Sequence, residues 1–196
     1  MQIISPDKVI RGKHAWIKSL PEIIKISKSP LLLGKSPSTK SLRSSINNDL
    51  CKLNLKVFNA ELEFDCCEED LSRIYKLAVQ QNCDSIITAG GGKVLDAGKI
   101  LSEYLSLPCI TVPLSASTCA GWTALGNIYT TDGKFVKDIK LKSCPKILVC
   151  DHSFISSAPK KTLSSGIADS LAKWYESSIT SSSNKDGIIQ QAIQIS

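Results

Sequence analysis

An α/β chain built on a doubly wound, mostly parallel sheet is what this sequence predicts, on three observations. Short apolar runs without alternation recur along it: Leu31-Leu32-Leu33, Ser85-Ile86-Ile87-Thr88-Ala89, Cys109-Ile110-Thr111-Val112 and Lys146 to Cys150. Such runs suit strands buried on both faces. Between them lie segments whose apolar residues repeat at three and four, the period of a helix with one buried face. Strand and helix then alternate repeatedly, as in βαβ units, where ligands collect at the carboxyl ends of the strands.

In order, Lys8-Val9-Ile10-Arg11 reads as a first strand ended by Gly12. A helix follows over about Ala15 to Ile26, with Trp16, Leu20, Ile23 and Ile24 on one face and Pro21 inside it, where it removes a helical donor. Leu31 to Leu33 is a buried strand closed by Gly34; Ser36 to Leu53 is a polar, serine-rich helix; Leu55 to Phe58 is the next strand. Asp65 with Glu68 three residues on is a capping-box pattern, opening a helix that carries Leu71, Ile74, Tyr75 and Ala78. Ser85 to Ala89, a glycine turn and a helix from Val94 to Leu105 form the next unit, and Cys109 to Val112, closed by Pro113, the strand after it. Asp132-Gly133 between Asn127–Thr130 and Lys134–Lys137 signals a hairpin. Lys146 to Cys150 is a last strand, and from Ser153 the chain reads helical through Ala158-Pro159 and Gly166 to Ser181. A boundary near Asp151 divides an α/β domain, residues 1–151, from the beginning of a helical one, residues 152–196; Ser177 to Asn184 reads as loop and Gly187 to Ser196 as a short tail.

The 196 residues suffice for one domain, or one and part of a second. With 42% hydrophobic and 21% charged residues the chain is globular rather than disordered. No apolar run approaches the ~18 residues of a membrane helix, and Met1 to Asp7 lacks an apolar signal core, so a cytoplasmic protein without membrane contact is expected. The net charge of +6 comes from scattered Lys and Arg with no basic run interleaved with aromatics, which argues against nucleic acid and suits anionic small molecules. The eight cysteines form no C-x-x-C pair and read as free thiols, several of them buried, while His14 and His152 are too few for a histidine-rich metal site.

Chemistry concentrates at Gly90-Gly91-Gly92-Lys93. Glycines here let the backbone approach a ligand closely, and the following helix offers unpaired N–H groups and a positive dipole end to a phosphate. Lys93 is a cation where the dipole disfavours one, a conflict that a bound anion would remove. The same residues also read as a plain strand-to-helix turn. They match neither G-x-G-x-x-G, since Lys93 follows the triplet and Asp96 ends the span, nor the P-loop, since Val94 and Ile87 stand where that motif needs Ser or Thr and Gly. Lys93, Asp96 and Lys99 equally fit a solvated charged stripe.

Gly-Gly-Gly-Lys-x-x-Asp-x-x-Lys at 90–99 resembles the coenzyme motif of glycerol dehydrogenases, within the superfamily of iron-containing alcohol dehydrogenases and dehydroquinate synthases. Ser5-Pro6-x-Lys8 with Gly12, Val112 to Thr118, Ala124-Leu125 to Tyr129, and Gly166-Ile167-Ala168-Asp169-Ser170-Leu171-Ala172-Lys173-Trp174 are similar to other stretches of that family in the same order. The resemblance implies a Rossmann-like NAD(P)-binding domain and the first helices of an all-helical domain that holds a divalent metal, zinc or iron. It implies hydride transfer between an alcohol or polyol and nicotinamide, the metal polarising the substrate hydroxyl. By position, Gly90, Gly91, Gly92, Lys93 and Val94 would cradle the pyrophosphate, and Leu114, Ser115, Ala116, Ser117, Thr123, Leu125 and Tyr129 would line the rest of the groove. Asp169 would be a metal ligand, and a homo-oligomer would be usual.

Three departures stand beside these matches. The family's two histidine ligands lie downstream of Ser196, and neither His14 nor His152 matches a ligand position. Cys119 stands where an Asp meets the substrate hydroxyls in glycerol dehydrogenases, which puts glycerol itself in question. Lys35 stands where an Asp binds the adenosine ribose, which leaves NAD and NADP both open, and Phe58 to Glu61 matches the family's next loop poorly. The expectation for these residues alone is dinucleotide binding without alcohol oxidation, Asp169 pairing with Lys173 as an ordinary helix acid. A non-catalytic nucleotide-binding module, and a synthase or lyase of the same superfamily, remain as alternatives.

Overall fold

The computed structural model describes residues 4–180. Along them run β1 (Lys8–Gly12), α1 (Ala15–Ile26), β2 (Pro30–Gly34), α2 (Lys40–Lys52), β3 (Phe58–Glu61), α3 (Glu68–Gln80), β4 (Ser85–Gly90), α4 (Gly92–Leu105), β5 (Cys109–Pro113), β6 (Leu125–Tyr129), β7 (Phe135–Lys140), β8 (Ile147–Asp151), α5 (His152–Ser156) and α6 (Lys160–Thr180). Six strands form one sheet in the order β1-β8-β5-β4-β2-β3, every pair parallel; β6 and β7 form a separate antiparallel hairpin. The doubly wound expectation holds.

Period-two geometry sorts the apolar runs onto the two faces of this sheet. Leu31, Leu33 and Ile86 face the layer of α3 and α4, with Leu71, Ile74, Ala97 and Leu101. Leu32, Ile87, Ile110 and Val149 face the layer of α1 and α2, with Trp16, Ile23, Ile46 and Leu50. Every residue of β2, β4 and β5 is buried, and each fully buried Leu or Ile contributes about 1.5–3 kcal/mol relative to exposure. Helix α1 keeps its predicted bounds with Pro21 on its exposed side. The buried Asp151 carboxylate holds the starts of two helices, accepting the Trp16 N–H at 2.9 Å and the Ser153 N–H at 2.8 Å.

Several local expectations are corrected. The strand expected at Leu55 to Phe58 lies further on, at Phe58–Glu61, because Leu55 is buried in the turn out of α2 and pairing with β2 begins only at Phe58 opposite Leu31. The stretch Phe58 to Glu61, a poor match to a loop, is thus the edge strand β3. The serine-rich helix opens with a separate 3-10 turn, Pro37–Thr39. The long helix expected from Ser153 is two helices, parted at Ser157 to Pro159, since proline donates no backbone hydrogen bond. Ser177 to Thr180, expected as loop, are the end of α6; the rest of that loop and the tail Gly187 to Ser196 lie outside the described residues.

Nor do Asp65 and Glu68 form a capping box. Cys67 is the N-cap of α3 with no side-chain bond, and the buried Asp65 pairs with Lys93 and accepts the Cys66 N–H at 2.8 Å. Asp70 works in the opposite direction. From the first turn of α3 it reaches back to accept the N–H groups of Glu63, 3.1 Å, and Phe64, 2.8 Å, and it pairs with Arg73. Burial pushes the Asp70 carboxyl up, but Arg73 and those two N–H groups together outweigh it and hold it below the usual carboxylate range.

The chain leaves β2 for β3 on one side and β4 for β5 on the other, so a crevice opens where β2 and β4 end side by side.

The depressed pKa sets a pH dependence. The Asp70 carboxylate stabilises the fold above its unfolded-state pKa, and the contribution is lost as pH falls through the folded value. Asp70→Asn is expected to cost about 1–3 kcal/mol at neutral pH, the variant and parent converging in acid, as read by urea unfolding at each pH. A gap that does not change with pH would assign the stabilisation to hydrogen bonding alone.

Candidate functional site

The three glycines play different parts. Gly90 ends β4 opposite Pro113, and a Cβ there would lie 2.8 Å from the Val94 Cβ. A Cβ on Gly92 would lie 3.0 Å from the Thr118 methyl. Around Gly91, by contrast, the nearest atom to a Cβ is the Ser115 hydroxyl at 3.9 Å, and its φ of −85° suits any residue. Gly90 and Gly92 are therefore small for packing, and Gly91 keeps space open above the start of α4. The first helical bonds come from the Val94 and Leu95 N–H groups to the Gly91 carbonyl, 3.1 Å each, so the N–H groups of Gly92 and Lys93 precede any intrahelical acceptor.

A cavity of about 230 Å³ lies over this turn, lined by Lys35, Ser36, Thr39 and residues 90–94, in the crevice between β2 and β4. A second, of about 200 Å³, shares Thr39 and Gly91 with it and extends along Leu42, Leu114 and Ser115 to Pro159 and Thr162. The loop after β5 is stitched to the turn: the Leu114 N–H donates to the Gly90 carbonyl at 3.0 Å, and the Ser115 and Ser117 hydroxyls stand 3.1 Å apart. Helix α6 closes on this loop at Gly166, where a Cβ would fall 1.8 Å from the Ala116 carbonyl oxygen. The sequence-predicted residues 90–94 and 114–117 thus come together, with Lys35 at the rim. Thr39, Leu42, Pro159 and Thr162 were not foreseen; no spacing signals them, because only the fold sets β2 beside β4 and α6 beside the loop after β5.

The remaining predicted residues divide. The Lys93 ammonium is turned to Asp65 and lies 4.2 Å above the Tyr129 ring, which also meets Phe135 edge-on. A buried carboxylate thus answers the conflict between Lys93 and the helix dipole, and what Lys93 offers a ligand at the turn is its N–H. Asp96 and Lys99 are only 5% and 3% exposed, so the solvated stripe is corrected: Lys99 points inward to Thr123 and Leu125. Lys35 is half-buried and donates to the Phe64 carbonyl. Cys119 is exposed, and all eight cysteines are free thiols. His14 has φ 60° at the start of α1, and His152 is exposed at the start of α5.

Asp169 pairs with Lys173 one turn on, and that bond, ahead of an opposing burial effect, raises the Lys173 pKa. Among the described residues no group of three His, Cys, Asp or Glu side chains could hold a metal ion. The turn, with an open cradle over a helix start, fits a dinucleotide; Asp169 alone does not fit a divalent metal. No helix of the described residues is long and apolar enough to cross a membrane.

Residues 6–152 match the family described as iron-containing alcohol dehydrogenase. The chain is 36% identical over 191 residues to an uncharacterized oxidoreductase of Synechocystis sp., covering 97% of this chain and 49% of that protein. It is 31% identical over 175 residues to a glycerol dehydrogenase of Escherichia coli, covering 89% and 47%. Among solved structures, glycerol dehydrogenase from Schizosaccharomyces pombe superposes with a TM-score of 0.80 at 30% identity, covering 92% of this chain and 46% of that one. The chain spans about half the length of the curated relatives it matches.

Gly166 offers a direct check on the seat of α6. Gly166→Ala drives a methyl into the Ala116 carbonyl, so α6 and the 114–118 loop are expected to separate, at a cost of about 1–3 kcal/mol. Amide exchange should quicken in α6 and that loop and stay unchanged in β2 and β4.

Proposed function

This chain belongs to the iron-containing alcohol dehydrogenase family, and we propose that it supplies the coenzyme-binding part of an NAD(P)-dependent alcohol or polyol dehydrogenase. One observation carries the reading: the open cradle at Gly91 sits on the start of α4, at the crevice where β2 and β4 end side by side. There the N–H groups of Gly92 and Lys93 and the dipole of α4 would bind the pyrophosphate. Leu114 to Ser117 would wall the groove on one side and Lys35, Ser36 and Thr39 on the other. Bound nicotinamide would supply the hydride acceptor for a CH–OH carbon; this chain's own residues hold and orient the coenzyme.

Relatives named glycerol dehydrogenase and glycolaldehyde reductase support a small oxygenated substrate, and Cys119 in place of an Asp argues for one other than glycerol. The metal would need ligands besides Asp169. A boundary at Asp151 suits this reading, since that carboxylate ends β8 and opens α5.

Gly91→Val is expected to weaken NAD(H) binding more than tenfold, about 1.4 kcal/mol or more, in calorimetric titration, with the unfolding midpoint kept. Gly90→Ala should do the reverse, costing stability through Val94. Undiminished affinity in a folded Gly91→Val variant would refute the site.

The coenzyme choice rests on Lys35. An Asp there would repel a 2′-phosphate, whereas Lys35 attracts one. NADP is therefore expected to bind at least as well as NAD, with Lys35→Ala weakening NADP more and salt narrowing the difference. A strong NAD preference that survives Lys35→Ala would remove Lys35 from the site.

A further inference from the structure

Helix α2 turns an apolar stripe to the sheet, with Ile46 and Leu50 wholly buried, and one turn before Ile46 the next place in that stripe is taken by an arginine. Arg43 is 6% exposed and lies across the end of β2, where Gly34 makes the room: a Cβ there would fall 2.2 Å from Arg43 Cδ and Nε. One nitrogen of the guanidinium is taken up by the chain itself. Nη1 donates to the Ser36 carbonyl at 2.9 Å and to the Thr39 hydroxyl, bracing the 3-10 turn that precedes α2. The other, Nη2, donates to the carboxylate of Glu61, the last residue of β3.

The pair is unequal. The Glu61 side chain is 55% exposed, against 7% for Arg43. So exposed a carboxylate remains solvated and adds little as an ion-pair partner, while the buried guanidinium has lost its water and depends on whatever anion faces it. Bracing the turn needs only Nη1, which leaves the second nitrogen and the charge without a structural use. A cavity of about 270 Å³ opens beside them, between α2 and β3. Lys40, Arg43, Ser44 and Asn47, at i, i+3, i+4 and i+7, line it from one face of the helix, and Asn59 and Glu61 from the edge strand. The Asn59 amide donates to Asn47 Oδ1 at 2.9 Å and joins the two walls. Two cations with hydroxyl and amide groups thus stand against a single carboxylate, and that carboxylate occupies the guanidinium nitrogen an incoming anion would need.

We propose that Arg43 anchors a phosphate-binding site between α2 and β3, in which a phosphate takes the place of Glu61 on the guanidinium and is met by Lys40. A planar guanidinium suits phosphate oxygens, and its bonds to them are charge-assisted. Glu61 is the resident counter-ion, which compensates the buried charge until phosphate displaces it. The cavity shares no lining residue with the one over the glycine turn. Ser36 and Thr39, which do line that one, are held by Nη1 of the same arginine. A phosphate borne by a nucleotide seated on the turn and a free phosphate are therefore both sources of the ligand, and only the first rests on the coenzyme reading above.

Calorimetric titration of the whole chain with inorganic phosphate, at an ionic strength held by chloride, tests the site. Glu61→Gln removes the competing carboxylate and is expected to tighten phosphate binding about threefold or more, and Arg43→Gln to weaken it at least tenfold. Because Arg43 also braces the turn and its variant could fail to fold, Lys40→Ala is measured beside it, with a loss of about threefold expected at an unchanged unfolding midpoint. An arginine that merely braces the turn predicts one and the same phosphate response in the parent, Glu61→Gln and Lys40→Ala, and that result overturns the site. Gly91→Val keeps the two readings apart. The gain from Glu61→Gln must persist in its background, since a gain that vanishes there belongs to the glycine turn and overturns the proposal; Gly91→Val that spares NADH binding instead removes the coenzyme reading and leaves the phosphate site standing. ADP and adenosine 2′,5′-bisphosphate distinguish the sources. A gain from Glu61→Gln for the bisphosphate over ADP assigns the site to a nucleotide's 2′-phosphate, and a gain for inorganic phosphate alone assigns it to a free one.

Discussion

Helix α4 comes down closely on strand β4 at two glycines. At Gly98 a Cβ would fall 2.1 Å from the Thr88 methyl, and at Gly90 the strand's last residue leaves no room for one beside Val94. Every residue from Val94 to Ser102 is buried. This close approach is the constraint from which much of the structure follows. It aims the start of α4 at the carboxyl edge of the sheet, and it brings one flank of the helix against the hairpin and the other against α3.

A helix buried on that scale must dispose of its charges. Lys93, at the first turn, finds Asp65 and the face of Tyr129. Asp96 and Lys99 find each other and the backbone of residues 123–127. These arrangements do more than compensate for desolvation, because they reach segments outside the main sheet: Asp65 in the turn before α3, Thr123 in the loop before β6, and Leu125 and Asn127 in β6. Polar groups on one helix thereby organise the irregular parts of the domain. The open space left at Gly91 stands out against this background, as the one glycine of the triplet that packing does not require.

The far side of the crevice is held by different means. Asp151 takes the N–H groups of Trp16 and Ser153 together, so the first helix of the chain and the first helix after the sheet share one carboxylate. Gly166 then lets α6 rest on the Ala116 carbonyl, and the cavity at Gly91 continues beneath Pro159 and Thr162. Beyond that contact α6 carries Ile167, Leu171 and Trp174 on its exposed surface.

By itself the sequence determined the layers and the glycine turn between β4 and α4. Unbroken runs such as Leu31 to Leu33 and Ile86 to Ala89, set between segments of helical period, suit strands buried between two helical layers, and a glycine triplet between strand and helix marks a turn; both signals are local, so neighbours along the chain suffice to read them. The motif around Gly90 to Lys99 also pointed to the right family, for the same reason. Tertiary structure alone decided the rest. Leu55 to Phe58 looked like a strand until β2 set the register, Asp65 looked like a cap until Lys93, 28 residues away, claimed it, and Asp96 and Lys99 looked like part of a solvated stripe until the hairpin covered them. Thr39, Leu42, Pro159 and Thr162 joined the site only because β2 came to lie beside β4 and α6 beside the loop after β5. A charge or a cap is assigned by what comes to stand opposite it, and that partner is chosen by the packing of distant segments, which no local pattern encodes.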